Sequence, residues 1–125
     1  MHKSRLGNIV IDCQTVDLLS AAQFWSAALG YPLPQALDAA SNCIQLVTPP
    51  GEIQIIIQSV RHEARAHFDI ETDSIDSEVA RLERLGATIV SHKDGWVVMQ
   101  AASGHRFCVG SPDRGGFDQG ANIWE

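Results

Sequence analysis

The sequence has few basic residues, and it lacks the short motifs that identify several large classes of protein. Lysine and arginine number 9 against 15 aspartate and glutamate residues, which gives a formal net charge of −6. An acidic chain is repelled by nucleic-acid backbones and by anionic membrane surfaces, so we expect neither as a partner. No GxGxxG, GxxxxGK[ST] or GxSxG motif occurs. The sequence therefore lacks the motifs that usually indicate nucleotide binding or serine-hydrolase activity.

Cysteine is also scarce, and no long hydrophobic run is present. Cys13, Cys43 and Cys108 are widely spaced, odd in number and without a CxxC pair, so they predict no disulfide framework. No apolar run approaches the ~20 residues that a membrane-spanning helix needs. No apolar stretch with a cleavage site follows the basic first five residues, as it would in a signal peptide. We therefore expect a cytoplasmic protein.

The chain does contain enough apolar sequence for one hydrophobic core. It has 125 residues, of which 45% are hydrophobic and 19% charged, an ordinary composition for a globular protein. A chain of this length usually folds as one unit. We therefore expect a single domain over residues 1–125.

Strand and helix patterns occur twice in the same order along the chain. The first set is a strand at 8–14, a helix between Asp17 and Gly30, a short edge strand within 31–41, and strands at 43–47 and 53–58. The second set is a strand at 67–71, a helix over 73–86, and strands at 88–90, 96–100 and 107–109.

Matching residues support an internal repeat. Asp12 corresponds to Asp69, and Gly51 corresponds to Gly104. We expect an α+β fold in which two repeated βαβββ modules, at about 8–60 and 66–110, form a curved mixed sheet around a cup. The tail, 111–125, is expected to wrap the surface, with Phe117 and Trp124 as anchors.

Strand alternation separates an apolar face from a polar face. The residues expected beneath the helices are Ile9, Ile11, Phe68, Ile70, Phe107 and Val109. The polar face predicts a ligand-binding cup rather than a merely solvated surface, because the repeat places two such faces together. The predicted cup residues are Asp12, Gln14, Gln58, His67, Asp69, Trp96, Arg106 and Cys108.

His67 and Asp69 are the predicted catalytic residues. An imidazole with a pKa of ~6.5 can act as a general base or donate a hydrogen bond to a ligand. A structural histidine held by a carboxylate is the alternative. Asp12 and Asp69 would suit a cationic or hydroxyl-bearing ligand, and Arg106 would suit a carboxylate or phosphate, unless they pair with each other.

In this order and spacing, the sequence resembles the vicinal oxygen chelate superfamily, and within it the glyoxalase-like domain branch. That superfamily includes glyoxalase I, bleomycin-resistance proteins, fosfomycin-resistance proteins and extradiol dioxygenases. The resemblance runs from about residue 8 to 110 and is carried by residues 11–13, 24–30, 66–70, 79–87 and 104–109. It implies the fold but no particular reaction.

The resemblance also implies where a metal would bind. Metal-dependent members hold a divalent ion at four positions, usually His on the first strand and Glu on the last strand of each module. Three of these positions fall on Val10, His67 and Cys108. The fourth is ambiguous, because counting from Gly51 gives Ile55, whereas strand alternation favours Gln54 or Gln58.

Valine and isoleucine cannot bind a metal, and a glutamine amide is a poor ligand, so the resemblance implies an incomplete site. We predict no cofactor. If a divalent ion (Zn, Mn, Ni or Fe) does bind, the expected ligands are His67, Asp12 and Gln58.

Three functions are consistent with these patterns. The first is a small-molecule-binding protein of the glyoxalase-like type without the usual metal site. The second is a metal-dependent lyase, isomerase or dioxygenase of the same superfamily, with Asp69 or Glu71 as base. The third is a non-catalytic dimerisation module. Whether the protein is an enzyme stays open, and the resemblance implies a homodimer.

Overall fold

The computed structural model describes the whole chain, residues 1–125, as eight strands and three helices. The strands are β1 (His2–Cys13), β2 (Cys43–Gln45), β3 (Gln54–Ser59), β4 (Arg65–Thr72), β5 (Thr88–Lys93), β6 (Trp96–Gln100), β7 (Arg106–Gly110) and β8 (Asn122–Trp124). The helices are α1 (Leu18–Leu29), α2 (Ile75–Arg84) and α3 (Phe117–Gly120). The predicted α+β class is confirmed. None of the helices combines the length and the apolar character needed to span a lipid bilayer.

The chain divides into two compact units. The first unit is Asn8–Ala66, and the second unit combines Met1–Gly7 with His67–Glu125. Strand β1 contributes residues to both units.

In the first unit the strand order is β2–β3–β1, with β3 antiparallel to β2 and parallel to β1. Helix α1 begins after Asp17, whose carboxylate accepts a hydrogen bond from the Ser20 amide, and it ends at Gly30 in the left-handed conformation. The core consists of Ala22, Ile44, Leu46, Ile55 and Ile57, with Ile9, Ile11 and Trp25 packed against it. The predicted helix ends and the predicted inward positions of Ile9 and Ile11 are confirmed.

The edge strand predicted within 31–41 is wrong, because the structure has no strand there. Pro32 and Pro34 lack the backbone N–H that a strand ladder requires. The Asp38 side chain accepts a hydrogen bond from the Ala40 amide, and the Asp38 carbonyl accepts one from Ser41. These local bonds satisfy the backbone around Asp38, and the Pro32 carbonyl accepts a hydrogen bond from the Val47 amide.

In the second unit the strand order is β1–β4–β7–β6–β5, and β8 pairs antiparallel with β1. Strands β4 and β7 are parallel, whereas β6 is antiparallel to both β5 and β7. Ser74 caps α2, and the core beneath this helix contains Val79, Leu82, Val97, Met99 and Val109, with Ile70 and Phe107 against it. Phe68 departs from its predicted burial, because it is 54% exposed.

The N-terminal strand is longer than the sequence predicts. It begins at His2, which is only 8% exposed and lies 2.8 Å through Nε2 from Oε1 of Glu78. The start of this strand predicted at residue 8 is therefore wrong. The tail is held by the predicted anchors: the Trp124 indole donates to the Ser4 hydroxyl, and the Arg5 guanidinium lies over the Phe117 ring.

Candidate functional site

Three side chains with metal-binding or catalytic chemistry lie together on adjacent strands of the second unit. His67 and Asp69 belong to β4, and Cys108 belongs to β7. Asp69 and Cys108 are register partners in the parallel β4–β7 pair. The potential ligand atoms of the three residues all lie within 4.8 Å of one another. The structure thus groups three of the predicted cup residues; we call them the His67–Asp69–Cys108 cluster.

The alternation of β4 and β7 explains why these residues meet. Side chains two apart along a strand share a face, so His67 and Asp69 lie on the same side of β4, opposite Phe68. The His67 Nε2 atom is 3.5 Å from the Asp69 Oδ1 atom, and both side chains are partly accessible, at 16% and 25%. A carboxylate at this distance favours one orientation of the imidazole ring.

The donor set of the cluster fits a borderline divalent ion. Imidazole nitrogen, thiolate sulfur and carboxylate oxygen are the three donor types found in zinc sites, and they are close enough to converge. An ion held by His67, Asp69 and Cys108 would supply Lewis-acid polarisation of a bound oxygen. This set shares only His67 with the ligands predicted from the sequence.

The strand registers identify the equivalent positions in the first unit. Asp12 is the register partner of Gln58, as Asp69 is of Cys108. Since Asp12 and Asp69 correspond in the repeat, Gln58 is the counterpart of Cys108. Ile55 is only 9% exposed and belongs to the core with Ala22, so the count from Gly51 selects the wrong face.

The same comparison identifies the counterpart of His67. Val10 precedes Asp12 by two residues, as His67 precedes Asp69, and it is 3% exposed. The first unit therefore presents an apolar side chain and an amide where the metal-dependent relatives of the superfamily are expected to present strong ligands.

Three predicted cup residues belong to the first unit, and their interaction partners lie within the same unit. Asp12 is 2% exposed, with its Oδ2 atom 3.9 Å from the Arg65 Nε atom. Gln14 is exposed and donates a hydrogen bond to the Arg61 carbonyl at 2.9 Å. Gln58 is partly buried beside Asp12 in the β1–β3 ladder.

The remaining predicted cup residues lie in the second unit. Trp96 is 45% exposed and stands two residues before Val98, the register partner of Cys108, so it lies on the face that carries the cluster. Arg106 begins β7 and donates a hydrogen bond from Nε to Oε1 of Gln100 at 2.9 Å. Trp96 thus adds an exposed aromatic ring to the cluster face.

Glu71, considered from the sequence as a base, has a structural role. Its side chain is buried, accepts a hydrogen bond from the Arg5 Nε atom and lies 3.6 Å from the Arg114 Nε atom. It also accepts a hydrogen bond from the Asp113 amide at 3.2 Å. These contacts hold the segment after β7 against β1 and commit the carboxylate to ion pairing.

Sequence reasoning missed a cavity of about 510 Å³ in the second unit. Its lining includes Phe68, Ile70 and Phe107, which alternate with the cluster residues along β4 and β7 and therefore face the opposite side. We call it the helix-side cavity. The other walls come from β1, β8 and the turn before β7, which are far apart in sequence. The one local signal was an aromatic residue, Phe68, at the exposed end of a strand.

A buried ion pair forms one wall of the helix-side cavity. Glu78 is fully buried, and Arg81 binds both of its oxygens, at 2.8 and 2.9 Å. Burial alone would raise the pKa of Glu78, but hydrogen bonds from Arg81, His2 and Ser4 and the positive charge of Arg81 outweigh it. The pKa of Glu78 is consequently lowered to about 2. The carboxylate therefore stays ionised at neutral pH.

Solved structures of low sequence identity share the fold. A hypothetical protein from Bacillus halodurans C-125 has a TM-score of 0.60 at 13% identity, covering 90% of this chain and 97% of that protein. For methylmalonyl-CoA epimerase from Mycobacterium tuberculosis, the TM-score is 0.55 at 16% identity, with coverage of 86% and 87%. A glyoxalase/bleomycin resistance protein/dioxygenase superfamily member from Vibrio splendidus 12B01 has a TM-score of 0.52 at 13% identity, with coverage of 85% and 98%. No curated protein matches the sequence.

The sequence profile described as "Glyoxalase-like domain" matches residues 8–110, which is most of the chain. Those are the residues over which the sequence itself carries the resemblance, and the solved structures agree with it in fold. The chain therefore belongs to the glyoxalase-like domain family of the vicinal oxygen chelate superfamily.

Proposed function

We propose that this protein binds a small molecule on the cluster face of the second unit, without the four-ligand metal centre of the metal-dependent superfamily members. The observation that carries this proposal is the register equivalence of the two units. It gives Val10 and Gln58 as the counterparts of His67 and Cys108. Two of the four family positions therefore lack a strong metal ligand.

The cluster face offers groups suited to an oxygen-bearing ligand with a flat apolar part. His67 and Asp69 are partly accessible, so either can hydrogen-bond to a hydroxyl or carbonyl group on the ligand. Trp96 presents 45% of its surface, which suits contact with a planar ring. The partial burial of the polar pair strengthens such bonds, because it excludes part of the competing water.

A ligand screen with matched variants tests this proposal. We would screen aromatic hydroxy and keto compounds by thermal shift against the unaltered protein, the double variant His67→Ala/Asp69→Asn and the control Cys43→Ser. Compounds that bind the cluster face should stabilise the unaltered protein and the control but not the double variant. If every stabilising compound acts equally on all three proteins, the cluster face is not the binding site.

A metal-dependent enzyme is the second candidate, and the cluster geometry favours it. His67, Asp69 and Cys108 supply three converging donors, and a substrate oxygen or a water would complete the coordination sphere. Cobalt substitution tests this candidate directly. Titration with Co²⁺ should then produce a thiolate-to-metal charge-transfer band that Cys108→Ser removes and Cys43→Ser retains. If no such band appears during the titration, the metal-dependent candidate is rejected.

A homodimer and a cytoplasmic location, both expected from the sequence, stay predictions. Sedimentation of the purified protein at several concentrations measures the first, and fractionation of the source cells measures the second. The dimerisation module gains no specific support from the cluster geometry, so we do not propose it.

A further inference from the structure

We propose that the ligand of the cluster face is an aromatic carboxylic acid with a hydroxyl or keto group, and that Arg106 binds its carboxylate. This inference rests on the proposed function, to which it adds the charge of the ligand and the direction in which the ligand lies. Arg106 precedes Cys108 by two residues on β7, so its side chain projects from the face that carries the cluster. Gln100, its register partner on β6, lies on the same face.

The Arg106 guanidinium is oriented by a neutral partner. The alternative considered from the sequence was a pairing with Asp12 or Asp69, whereas the structure has a hydrogen bond from the Arg106 Nε atom to Oε1 of Gln100 at 2.9 Å. This bond fixes the guanidinium and uses only Nε. The terminal amino groups of this exposed side chain can therefore bind both oxygens of a carboxylate in the forked geometry that guanidinium favours.

The carboxylate would lie directly beside the groups that hold the hydroxyl or keto oxygen. His67 and Arg106 each stand two residues before a member of the Asp69–Cys108 register pair, so they are neighbours across the parallel strands β4 and β7. Adjacent strands are about 4.8 Å apart. A ligand that binds Arg106 and the cluster together therefore carries its hydroxyl or keto group close to its carboxylate.

Trp96 gives the direction of the aromatic part. It is the register partner of Gly110, at the end of β7 opposite Arg106. At roughly 3.3 Å per residue, the two ends of this strand are about 13 Å apart. The long side chains of Arg106 and Trp96 reduce the gap that a ligand has to span. An acid held by Arg106 can therefore extend past the cluster and place its ring against the exposed indole.

The charge of Asp69 favours a carboxylate over a phosphate. Asp69 lies on the same face, two residues along β4 from His67, whereas the next carboxylate on that strand, Glu71, is buried and paired with Arg5. A phosphate monoester carries about −1.5 to −2 charges at neutral pH, so Asp69 would repel it more strongly than a carboxylate of single charge. The anion expected beside Arg106 is therefore a carboxylate.

Nuclear magnetic resonance of the tryptophan indoles tests the proposal with the intact protein. Trp96 reports on the cluster face, Trp124 on the helix-side cavity and Trp25 on the first unit. The probes are phenyllactate, its uncharged amide phenyllactamide, and phenyl phosphate. Phenyllactate should shift the Trp96 signal in a saturable way and leave the other two indoles unmoved. It should bind about fivefold to tenfold more tightly than phenyllactamide or phenyl phosphate.

A pair of variants separates Arg106 from the general charge of the face. Arg106→Gln should remove the preference for phenyllactate over phenyllactamide and leave the affinity for the amide unchanged. Lys93→Gln removes one positive charge from the other end of the same face, because the exposed Lys93 is the register partner of Trp96. At physiological salt, where charges are screened over about 8 Å, this control should keep the preference for the acid.

The possible failures are distinguishable. If phenyllactamide shifts Trp96 with the same affinity as phenyllactate, Arg106 does not bind the ligand, and the proposed function stands without this inference. If the preference for the acid disappears in Lys93→Gln but not in Arg106→Gln, the ligand lies in the opposite direction and the inference is wrong. Tighter binding of phenyl phosphate would overturn the carboxylate. If no probe shifts Trp96, the inference is rejected, and the broader ligand screen decides the proposed function separately.

Discussion

Glu78 is the residue whose setting the sequence predicts least well. The spacing of Ile75, Val79 and Leu82 predicts the buried stripe of α2, and Val79 and Leu82 are buried as expected. Nothing local predicts that Glu78 is more deeply buried than either. Its partner His2 lies 76 residues away, and a contact of that separation leaves no periodic pattern in a single sequence.

Replacing Glu78 with glutamine should destabilise the protein by about 2–4 kcal/mol, because Arg81 and His2 lose their charged partner in a buried setting. Urea denaturation followed by circular dichroism measures the change. Glu83→Gln, on the exposed side of the same helix, should stay within about 0.5 kcal/mol of the unaltered protein. A similar loss in both variants would mean that helix charge, rather than the buried pair, is responsible.

The stability contributed by Glu78 should depend on acid pH. Its pKa is lowered from the ordinary 4.5 to about 2 on folding, so its contribution is fully present above pH 4.5 and lost as the pH falls towards 2. A shift of this size corresponds to about 3 kcal/mol. The unfolding free energy of the unaltered protein should fall more steeply than that of Glu78→Gln across this window. Parallel pH profiles would contradict the assignment.

The cluster residues show what strand alternation can predict and what it cannot. His67 and Asp69 are placed on one face by their spacing, and the position of Cys108 after Gly104 places it beside them. Phe68 obeys the same alternation but is not covered, because α2 packs over Ile70 and Phe107 instead. Alternation predicts on which side of the strand a residue lies. Whether its side chain is buried depends on where the helix packs against that side.

At the scale of elements, the ends of the helices could be predicted and the extent of β1 could not. Asp17, Gly30 and Ser74 are local signals, and each acts where the sequence places it. Strand β1 starts six residues earlier than predicted because its polar side chains are buried against remote partners, such as Trp124 with Ser4. In a sequence pattern, a polar residue that is buried in this way cannot be distinguished from one that is exposed to solvent.

Arg5 supplies several of the contacts that attach residues 113–121 to β1. Arg5 binds Glu71 and donates hydrogen bonds to the carbonyls of Gly115 and Gly116 at 2.9 and 3.0 Å. Arg5→Gln should lower the local opening free energy of 113–121 by about 2 kcal/mol, which speeds amide exchange there about 30-fold.

Hydrogen exchange with mass spectrometry tests this expectation. The amides of α1, in the first unit, should exchange at an unchanged rate. Arg61→Gln, an exposed arginine of the first unit, should leave the exchange of 113–121 unaffected. Uniformly faster exchange in Arg5→Gln would instead indicate global destabilisation. It would contradict the claim that Arg5 stabilises residues 113–121 locally.

At the scale of the whole molecule, the fold could be predicted from the sequence because the sequence contains an internal repeat. Equivalent landmarks such as Asp12 and Asp69 are few, yet they fall at matching positions of β1 and β4. The two modules differ: the second has the full βαβββ plan, whereas the first has one strand fewer after its helix. They differ in chemistry as well, because Val10 and Gln58 stand where the second unit has His67 and Cys108.

Elemental analysis of purified, untagged protein tests the central claim most directly. It would be combined with thermal melts in chelator and in added Zn²⁺, Mn²⁺, Ni²⁺ or Fe²⁺. With only half of the family's ligand positions filled, we expect far less than one metal ion per chain and a melting temperature that neither chelator nor metal changes. An ion at near one-to-one stoichiometry, with a metal-dependent rise in melting temperature that His67→Ala abolishes, would contradict the metal-free account.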